Sequence, residues 1–477
     1  MQLGATFFSE IDILAFPICI LLFLIIIRAK ANNNKDPKVR KIYYAAFTFK
    51  VICVASFAVL TEFYFKGGDT GLYYQATKDL RAAVSANPDN FWLVVTSSKL
   101  KLDNPLVTFF YYDGYSDFTY GYMGAANNFL PPRLAFIPAY IFGNSYLCIC
   151  MCFGFFALGG AIRLFKSFYY FYPNLYRELS LSTIFLPGVA FWTASLLKDP
   201  ISFGCIGYLL YGFVNIFFKK TKTWSSIILI LCLGVVLYVC KVYILLVLVL
   251  SIAVWLFAEF NKLIKDKTLR SVFTILTFIF SAIIGYYLVT YLTSLDSARE
   301  YRLDNLMNNA ERERAGYAAV AERIQGDSHF VINTSNPVLL IANGIIATFY
   351  RPFFWEINSP IAFLSAAESS VFLLLTLYFI FKKGLKQFFT VPFKDPRILM
   401  CFIFSFVFAI AVGSATSNFG ALSRYKIPCT PFYLIMILVM YKKSNLAFPK
   451  WFEKIVASLS SIVWKRQRRL PTPILPL

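Results

Sequence analysis

The sequence predicts an all-α, polytopic bundle of transmembrane helices with about eleven spans, because three observations agree. Hydrophobic residues make up 58% of the 477 residues, and the mean hydropathy is +0.62. They are gathered into runs, most of which reach the roughly 17–25 residues that a helix needs to cross a bilayer. Basic residues cluster on alternate connections between these runs, as in the cytoplasmic loops of membrane proteins.

The apolar runs lie at 12–28, 42–64, 134–162, 180–197, 200–218, 225–240, 243–260, 271–294, 361–381, 398–415 and 427–441. A few of them are short, so we expect those to need tilt or broken geometry. Two long connections are expected to form large extracytoplasmic loops with interfacial or re-entrant helices. The predicted segments are 1–64 (first two spans and a basic cytoplasmic loop), 65–133 (first extracytoplasmic loop), 134–294 (six-span core), 295–360 (second extracytoplasmic loop with a re-entrant helix), 361–441 (last three spans) and 442–477 (basic cytoplasmic tail).

Charge predicts how the chain is oriented in the membrane. Most of the 46 Lys and Arg residues fall on the connections 28–41, 163–177, 219–222, 262–270, 382–397 and 442–469. Positively charged loops stay in the cytoplasm, so we expect the N-terminus outside and the C-terminus in the cytoplasm. In a soluble protein a net charge of +21 would suggest nucleic acid as a partner, but here anionic inner-leaflet lipid explains it. We therefore expect the lipid bilayer as a partner and no nucleic acid.

Cysteine and histidine exclude two classes of site. Most of the 10 cysteines sit inside apolar runs, where a small apolar residue is the ordinary explanation. We therefore predict no disulfide framework and no zinc site of the CxxC type. His329 is the single histidine, which excludes a histidine-based metal centre and leaves any histidine-driven triad dependent on that residue alone. No residues are assigned as metal ligands.

The first long connection begins with a glycine-rich turn around a carboxylate. Gly67, Gly68 and Gly71 surround Asp69 directly after the second run. Glycine allows a tight turn, which would hold the carboxylate at the membrane surface. Two interpretations stay open here. In the first, Asp69 has a structural role and forms an Asx turn that ends a helix. In the second, its carboxylate acts on a lipid-borne substrate at the interface.

A charged step separates the fourth and fifth runs. Lys198 and Asp199 stand between two apolar segments with almost no loop, so both must lie at or inside the outer interface. Pro200 suits the start of the next helix, with Asp199 as its cap. The alternative is that Lys198 binds a phosphate near the membrane surface.

The second long connection ends in an aromatic anchor flanked by charges. The apolar stretch 337–350 is too short to span, so it is predicted to form a re-entrant or interfacial helix. Arg351 and Glu356 follow it, one on each side of the aromatic residues. We therefore expect this segment to be an aromatic anchor with one charge of each sign beside it.

The last outer turn combines small polar residues with two cations. Residues 413–428 include Asn418 among Gly, Ser and Thr residues that break the helix, and Arg424 and Lys426 follow just before the final run. This arrangement is typical of an anion cradle, on a face where the cytoplasmic charge rule gives no reason for cations. The alternative is that the cations snorkel from the final span to the interface.

Several of these segments resemble proteins of known type. Residues 67–70 after an early span, together with 191–199, 351–356 and 418–428, resemble multi-spanning bacterial proteins of envelope-polysaccharide synthesis. Those are similar to the C-type glycosyltransferases and to the O-antigen or exopolysaccharide polymerases, which use polyprenyl-phosphate-linked sugars at the outer face. The resemblance covers most of the chain as architecture, through short motifs. It implies a glycosyl-transferring protein of the bacterial inner (cytoplasmic) membrane, with envelope-assembly proteins as partners.

The resemblance also implies roles for single residues. An acidic residue in the first outer loop is the usual catalytic base of C-type glycosyltransferases, and Asp69 matches that position. The candidates for binding the substrate phosphate are Arg424, Lys426, Lys198 and Arg351, and the further candidates are Asp199, Glu356, Glu368 and Asn418. Mg or Mn would suit carboxylate and phosphate oxygens, although no ligand spacing demands either ion. An additional span precedes the loop and the acid is a lone Asp, so a polymerase, in which Arg residues hold the pyrophosphate, stays open.

A transporter or flippase of a lipid-linked or anionic substrate is the alternative from another class. Glu368 lies within a predicted span, where an ionisable residue is a candidate for function, with Lys241 or Arg424 as its partner. In a transporter Glu368 and Lys241 would be the coupling residues at the midplane. Transporters usually have internal symmetry and small outer loops, whereas this chain has two large, unequal ones.

Overall fold

The computed structural model describes residues 7–110, 121–266, 336–357 and 359–464, together with 268, 269, 272, 310–312, 314–316, 318, 319 and 330. Every regular element in this described part of the chain is a helix, which confirms the predicted all-α class. His329, most of the second long connection and all of the predicted run 271–294 except residue 272 lie outside the described residues.

The α-helices are labelled in chain order. The first are α1 (Glu10–Asn32), α2 (Pro37–Leu60), α3 (Asp69–Ala86), α4 (Asn90–Thr96), α5 (Val107–Phe110), α6 (Ala126–Ile141), α7 (Tyr146–Phe171), α8 (Tyr176–Thr183) and α9 (Pro187–Trp192). The others are α10 (Lys198–Val214), α11 (Thr223–Asn261), α12 (Pro337–Tyr350), α13 (Pro360–Lys383), α14 (Leu385–Thr390), α15 (Pro396–Ala415), α16 (Phe419–Tyr425), α17 (Thr430–Lys443) and α18 (Lys450–Trp464). Single π-turns at Thr61–Phe65 and Asn215–Lys219 extend α2 and α10.

Seven helical stretches within the described residues are long and apolar enough to cross a membrane. They are Glu10–Asn32, Pro37–Phe65, Tyr146–Phe171, Lys198–Lys219, Thr223–Asn261, Ala362–Lys383 and Pro396–Ala415. Stretches of this length and composition indicate a multi-pass membrane protein. The predicted first extracytoplasmic loop is itself largely helical, since it contains α3, α4, α5 and the start of α6.

The predicted run 134–162 contains a turn, so a single span across it is wrong. Gly143 and Asn144 both have positive φ (66° and 65°) and separate α6 from α7. Ser145 then caps α7, because its Oγ accepts a hydrogen bond from the Cys148 N–H at 3.1 Å. A turn of so few residues between apolar flanks leaves the average hydropathy high, which is why the sequence pattern concealed it.

The predicted run 180–197 is likewise divided, into the short helices α8 and α9. Lys50 of α2 shows why α9 ends where it does. Its Nζ donates to the Ala190 carbonyl at 2.8 Å and to Thr193 Oγ1 at 2.9 Å, while the residue is only 4% exposed. The Lys50 ammonium therefore donates to the Ala190 carbonyl, which would accept a backbone N–H if α9 were longer. Nothing in the sequence around Lys50 indicates this role.

The helix α11 reverses its direction at Lys241, whose φ and ψ (−154° and 82°) are not helical. Lys241 lies beside Asp199, at the start of α10. Further along α11, Trp255 stacks on Phe218 at the far end of α10, with ring centroids 5.0 Å apart. The two limbs of α11 therefore run antiparallel, in the manner expected of the two separate apolar runs predicted there.

Contacts between helix ends define two ends of the bundle, which we call the site end and the basic end. At the site end, the Phe7 N–H just before α1 donates to Glu62 at 2.6 Å. At the basic end, the Trp464 indole N–H of α18 donates to the Lys38 carbonyl at 3.2 Å. The start of α1 and the end of α18 thus lie at opposite ends, as their predicted opposite orientations require. Which end faces the cytoplasm stays a prediction.

Glycines let α7 and α10 pack closely. A Cβ added at Gly207 would lie 2.1 Å from the carbonyl oxygen of Gly160, and one added at Gly160 would lie 2.6 Å from the backbone of Gly204. Small residues at such a crossing allow two helix backbones to approach inside a membrane. Because Asp199 stands in the first turn of α10, this packing also holds its carboxylate in place.

Candidate functional site

The turn before α3 places Asp69 at the site end. Lys66, Gly67 and Gly68 all have positive φ (50°, 122° and 68°), and α3 begins at the next residue. Glycine adopts this conformation without strain, so the glycines allow a tight turn between α2 and α3. The Asp69 carboxylate accepts hydrogen bonds from the side chains of Tyr122 and Arg424. The tight turn expected around Asp69 is present, and here the turn begins a helix.

Four charged residues form a continuous chain of contacts, which we call the charged cluster. Arg424 Nη1 lies 3.0 Å from Asp69 Oδ2, and Arg424 Nε lies 3.3 Å from Asp199 Oδ2. Lys241 Nζ lies 2.6 Å from Asp199 Oδ1. Alternating charges thus connect α3, α16, α10 and the bend of α11. Arg424 is the centre of the cluster because it contacts both carboxylates.

The charged cluster has a buried half and an open half. The side chains of Asp199 and Lys241 are 1% and 9% exposed, whereas those of Asp69 and Arg424 are 39% and 21% exposed. Burial by itself lowers the pKa of the Arg424 guanidinium, but the charges of Asp199 and Asp69 outweigh burial and raise that pKa. The buried half therefore anchors a permanently charged guanidinium whose other edge faces the open half.

Aromatic and polar side chains surround the open half. Tyr122 donates to Asp69 Oδ1 at 3.3 Å, and the Tyr73 and Tyr122 hydroxyl oxygens are also 3.3 Å apart. The Arg424 guanidinium lies 5.7 Å from the centroid of the Trp192 ring. Rings and hydroxyl groups of this kind can contact the faces and hydroxyl groups of a sugar.

Lys198 lies at the edge of the charged cluster. Its Nζ donates to Asn128 Oδ1 at 2.5 Å, and its charge interacts with those of Asp69 and Asp199. The expectation that Asp199 caps a helix starting at Pro200 is wrong, because α10 begins at Lys198 and the Asp199 carboxylate contacts Lys241 and Arg424 instead. A long-range ion pair therefore replaces the predicted local cap.

Arg351 and Glu356 pair with each other away from the charged cluster. The Arg351 guanidinium forms a salt bridge with the Glu356 carboxylate and lies over the rings of Phe330 and Phe419, at 4.3 and 5.1 Å. The two rings stack on each other with centroids 4.4 Å apart, so they form one aromatic surface against the guanidinium. Arg351 thus does not join Arg424, and the structure divides the predicted phosphate-binding residues into two groups. Asn418 serves as the cap of α16, since its Oδ1 accepts from the Ala421 N–H at 3.1 Å.

Lys426 and Glu368 belong to the second group. Lys426 Nζ donates to Ser369 Oγ at 2.8 Å and to the Arg351 carbonyl at 3.3 Å. Burial lowers the pKa of the Lys426 ammonium to about 8, although the charge of Glu368 opposes the shift. Glu368 accepts from the Gly188 N–H at 2.8 Å and lines a small pocket with Lys426.

The expected partners of Glu368 were wrong. Lys241 and Arg424 both contact Asp199, so neither is available to Glu368. Lys241 could have been assigned correctly from the sequence, because it stands between two apolar runs at the same end as Asp199, and an ionisable residue there needs an opposite charge. Nothing in the sequence indicated Tyr122 or Trp192 over the other aromatic residues.

The residues of the charged cluster do not fit a Mg or Mn ion. Within the described part of the chain, no three His, Cys, Asp or Glu side chains are grouped so that they could hold a metal ion. The carboxylates of Asp69 and Asp199 already contact cationic side chains, and a divalent cation beside them would be repelled by Arg424 and Lys241.

Lys241→Met is expected to destabilise the protein, because it leaves the Asp199 carboxylate buried with one partner fewer. Breaking a buried ion pair costs about 3–5 kcal/mol, and the remaining contact with Arg424 places the expected loss near the lower value. Thermal unfolding in detergent measures the change, with the exposed Lys101→Met as control. Lys241→Met combined with Asp199→Asn should recover part of the loss. A melting temperature equal to that of wild type for Lys241→Met alone would contradict the anchoring role.

The arrangement has a definite chemical capacity. It combines a half-exposed carboxylate, a fixed guanidinium and a nearby ammonium at one end of a membrane-spanning bundle. A carboxylate can accept a proton, and the cations can hold a phosphate and stabilise charge that develops on it.

Comparisons of the chain with protein-family models, with curated proteins and with solved structures gave no match.

Proposed function

We propose that the protein is an enzyme of the bacterial inner membrane that transfers a glycosyl group from a polyprenyl-phosphate-linked sugar at the extracytoplasmic face. The observation that carries this proposal is the contact between Asp69 and Arg424, 3.0 Å apart in the open half of the charged cluster. It places a proton acceptor directly beside an anion-binding group. The acceptor would be a growing envelope polysaccharide or a second lipid-linked sugar.

Binding of the donor would exchange one anion for another on Arg424. The phosphate of the donor takes the place of Asp69 on Nη1, while Asp199 keeps its contact with Nε on the opposite part of the guanidinium. Arg suits this exchange because its planar group can bind two anions at once. Lys198, at the edge of the cluster, supplies a second cation. The exchange frees the Asp69 carboxylate only when the donor is present.

The transfer step follows from this arrangement. The acceptor hydroxyl oxygen attacks the anomeric carbon of the donor sugar, and the hydroxyl proton passes to the Asp69 carboxylate. The bond between the anomeric carbon and the phosphate oxygen breaks, and its electron pair stays on the polyprenyl phosphate. Arg424 and Lys198 stabilise the charge that develops on that leaving group. Tyr122 and Trp192 would hold the sugar rings over the cluster.

The same atoms serve a C-type glycosyltransferase and a polymerase, because the two differ in the acceptor and share the phosphate-linked donor. The described contacts do not favour a transporter. Glu368 and Lys241, the coupling residues of that alternative, contact Gly188 and Asp199 and not each other.

Mass spectrometry of lipid-linked intermediates in cells that lack the protein tests the proposed function. A glycosyl-transferring enzyme predicts that the donor or a single repeat unit accumulates, and that the gene restores the wild-type pattern. The Asp69→Asn variant should fail to restore it. Unchanged lipid-linked intermediates together with blocked export would contradict transfer and support transport.

The orientation of the site end has its own test. Asn87, in the exposed connection after α3, lies at the site end, and Asn33 lies in the exposed connection after α1 at the basic end. Asn87→Cys should react with a membrane-impermeant maleimide in intact cells, whereas Asn33→Cys should react only after lysis. The wild-type protein controls for its own cysteines. Labelling in the reverse sense would place the charged cluster in the cytoplasm and contradict an extracytoplasmic reaction.

A further inference from the structure

Four cations gather at the basic end, far from the charged cluster, and we call them the basic cluster. They are Arg163 and Lys166 on α7, Lys219 at the end of α10, and Lys222 just before α11. Lys166 interacts electrostatically with Arg163 and Lys222, and Lys219 interacts with Lys166. Three helices thus bring four like charges to one place.

No carboxylate of the described residues forms an ion pair with the basic cluster. Two other cations at this end do have carboxylate partners, since Arg397 contacts Glu259 at 3.1 Å and Lys443 contacts Asp395 at 3.0 Å. Like charges repel each other most strongly where they are shielded from water. An anion bound among these four cations would relieve that repulsion.

Tyrosine side chains hold the cations in position. Lys166 Nζ donates to the Tyr43 hydroxyl at 2.8 Å, and the Arg163 guanidinium lies 4.0 Å from the centroid of the Tyr208 ring. Lys219 Nζ lies 4.5 Å from the centroid of the Tyr211 ring. Ring faces attract cations without neutralising their charge. The positions are preformed, and the charges stay available to a ligand.

The backbone around the basic cluster is also specialised. A Cβ at Gly159 would lie 2.4 Å from the Tyr208 hydroxyl, so glycine at this position lets the ring lie under Arg163. Lys220 and Lys222 both have a φ of 52°, in the left-handed region that side-chain-bearing residues rarely adopt. Such conformations persist only where the surrounding structure imposes them, and they are most frequent at functional sites.

We propose that the basic cluster binds a phosphate group, supplied by the headgroup of an anionic membrane lipid. The cluster lies where two membrane-spanning helices end, because Tyr146–Phe171 and Lys198–Lys219 both terminate beside it. This is the depth of lipid headgroups, where basic pockets between helices bind anionic lipid. Lys and Arg both suit phosphate oxygens, and the Tyr43 hydroxyl adds a further donor. The site is separate from the charged cluster at the opposite end.

Native mass spectrometry of the purified protein with phosphatidylglycerol tests this proposal. Lys166→Gln combined with Lys219→Gln removes two charges of the basic cluster and should weaken lipid binding roughly ten-fold or more. Lys35→Gln combined with Lys41→Gln removes two exposed charges from the same end and is the matched control. That control should bind phosphatidylglycerol like wild type. Phosphatidylcholine, which carries no net charge, should bind weakly to all three proteins.

A second measurement distinguishes lipid phosphate from free phosphate. Inorganic phosphate at millimolar concentration should leave phosphatidylglycerol bound if the lipid is the ligand, whereas complete displacement would assign the site to a free phosphate compound and overturn the lipid source. Lys166→Arg with Lys219→Arg keeps the charge and should keep lipid binding. If the Gln pair does not fold, Lys219→Gln alone, in the partly exposed π-turn after α10, replaces it. Equal lipid affinity of the Gln variant and the control would overturn the site.

Discussion

Asp69→Asn is expected to abolish measurable glycosyl transfer while the protein remains folded. Asparagine keeps a hydrogen-bonding oxygen for Tyr122 but cannot accept the acceptor's proton, and loss of a general base typically reduces a rate by about 10²–10⁴-fold. The contact with Arg424 is partly exposed, so its loss should change stability by only about 1 kcal/mol or less. Transfer by purified protein from a synthetic lipid-linked sugar measures the effect.

Asp89→Asn is the matched control for this experiment. Asp89 is an exposed carboxylate in the connection after α3, outside the charged cluster. The same exchange there should leave transfer unchanged. If purified Asp69→Asn transfers sugar at the wild-type rate, Asp69 is not the base, and a mechanism centred on Arg424 alone would remain.

Arg424→Lys is expected to weaken donor binding substantially, even though the charge is kept. Arg424 uses Nε for Asp199 and Nη1 for the open half of the cluster, and a lysine ammonium lacks that fixed fork. Losing a charge-assisted contact of about 1.5–3 kcal/mol corresponds to roughly ten- to hundred-fold in affinity. Titration of the purified protein with polyprenyl pyrophosphate or its lipid-linked sugar measures this change.

The Arg424→Lys substitution also distinguishes two roles for Arg424, binding of phosphate and snorkelling to the interface. A cation that only snorkels to the interface can be Lys as well as Arg, so affinity would not change. Arg81→Lys, on α3, makes the same exchange outside the cluster and should bind the donor like wild type. Equal affinity of Arg424→Lys and Arg81→Lys would remove the phosphate-binding role from Arg424.

The sequence alone predicted the helical class, the membrane and the end at which the site residues gather. Apolar runs of spanning length are a local property, and crossing helices alternate between the two faces of a membrane. That alternation placed Asp69, Lys198, Asp199 and Arg424 on one face before any contact was known. The structure brings all four together at the site end.

Only the tertiary structure decided which charges meet. Arg424 contacts Asp69 across 355 residues of chain and Asp199 across 225, and no local pattern encodes such pairs. The sequence analysis grouped Arg351 with Arg424 and proposed Lys241 as a partner of Glu368. In the structure, Arg351 instead pairs with Glu356, and Lys241 pairs with Asp199.

The same distinction holds for the fold. Hydropathy averages over many residues, so it detected most apolar runs but not the turn at Gly143 and Asn144. It also did not detect the end of α9, which Lys50 of α2 stabilises from a distant part of the chain. Hydropathy and charge asymmetry are read along the chain, so they predict the helical class and the end of the bundle at which a residue lies. Ion pairs and caps depend on which helices become neighbours, because a buried charge must find its partner wherever packing brings one within reach.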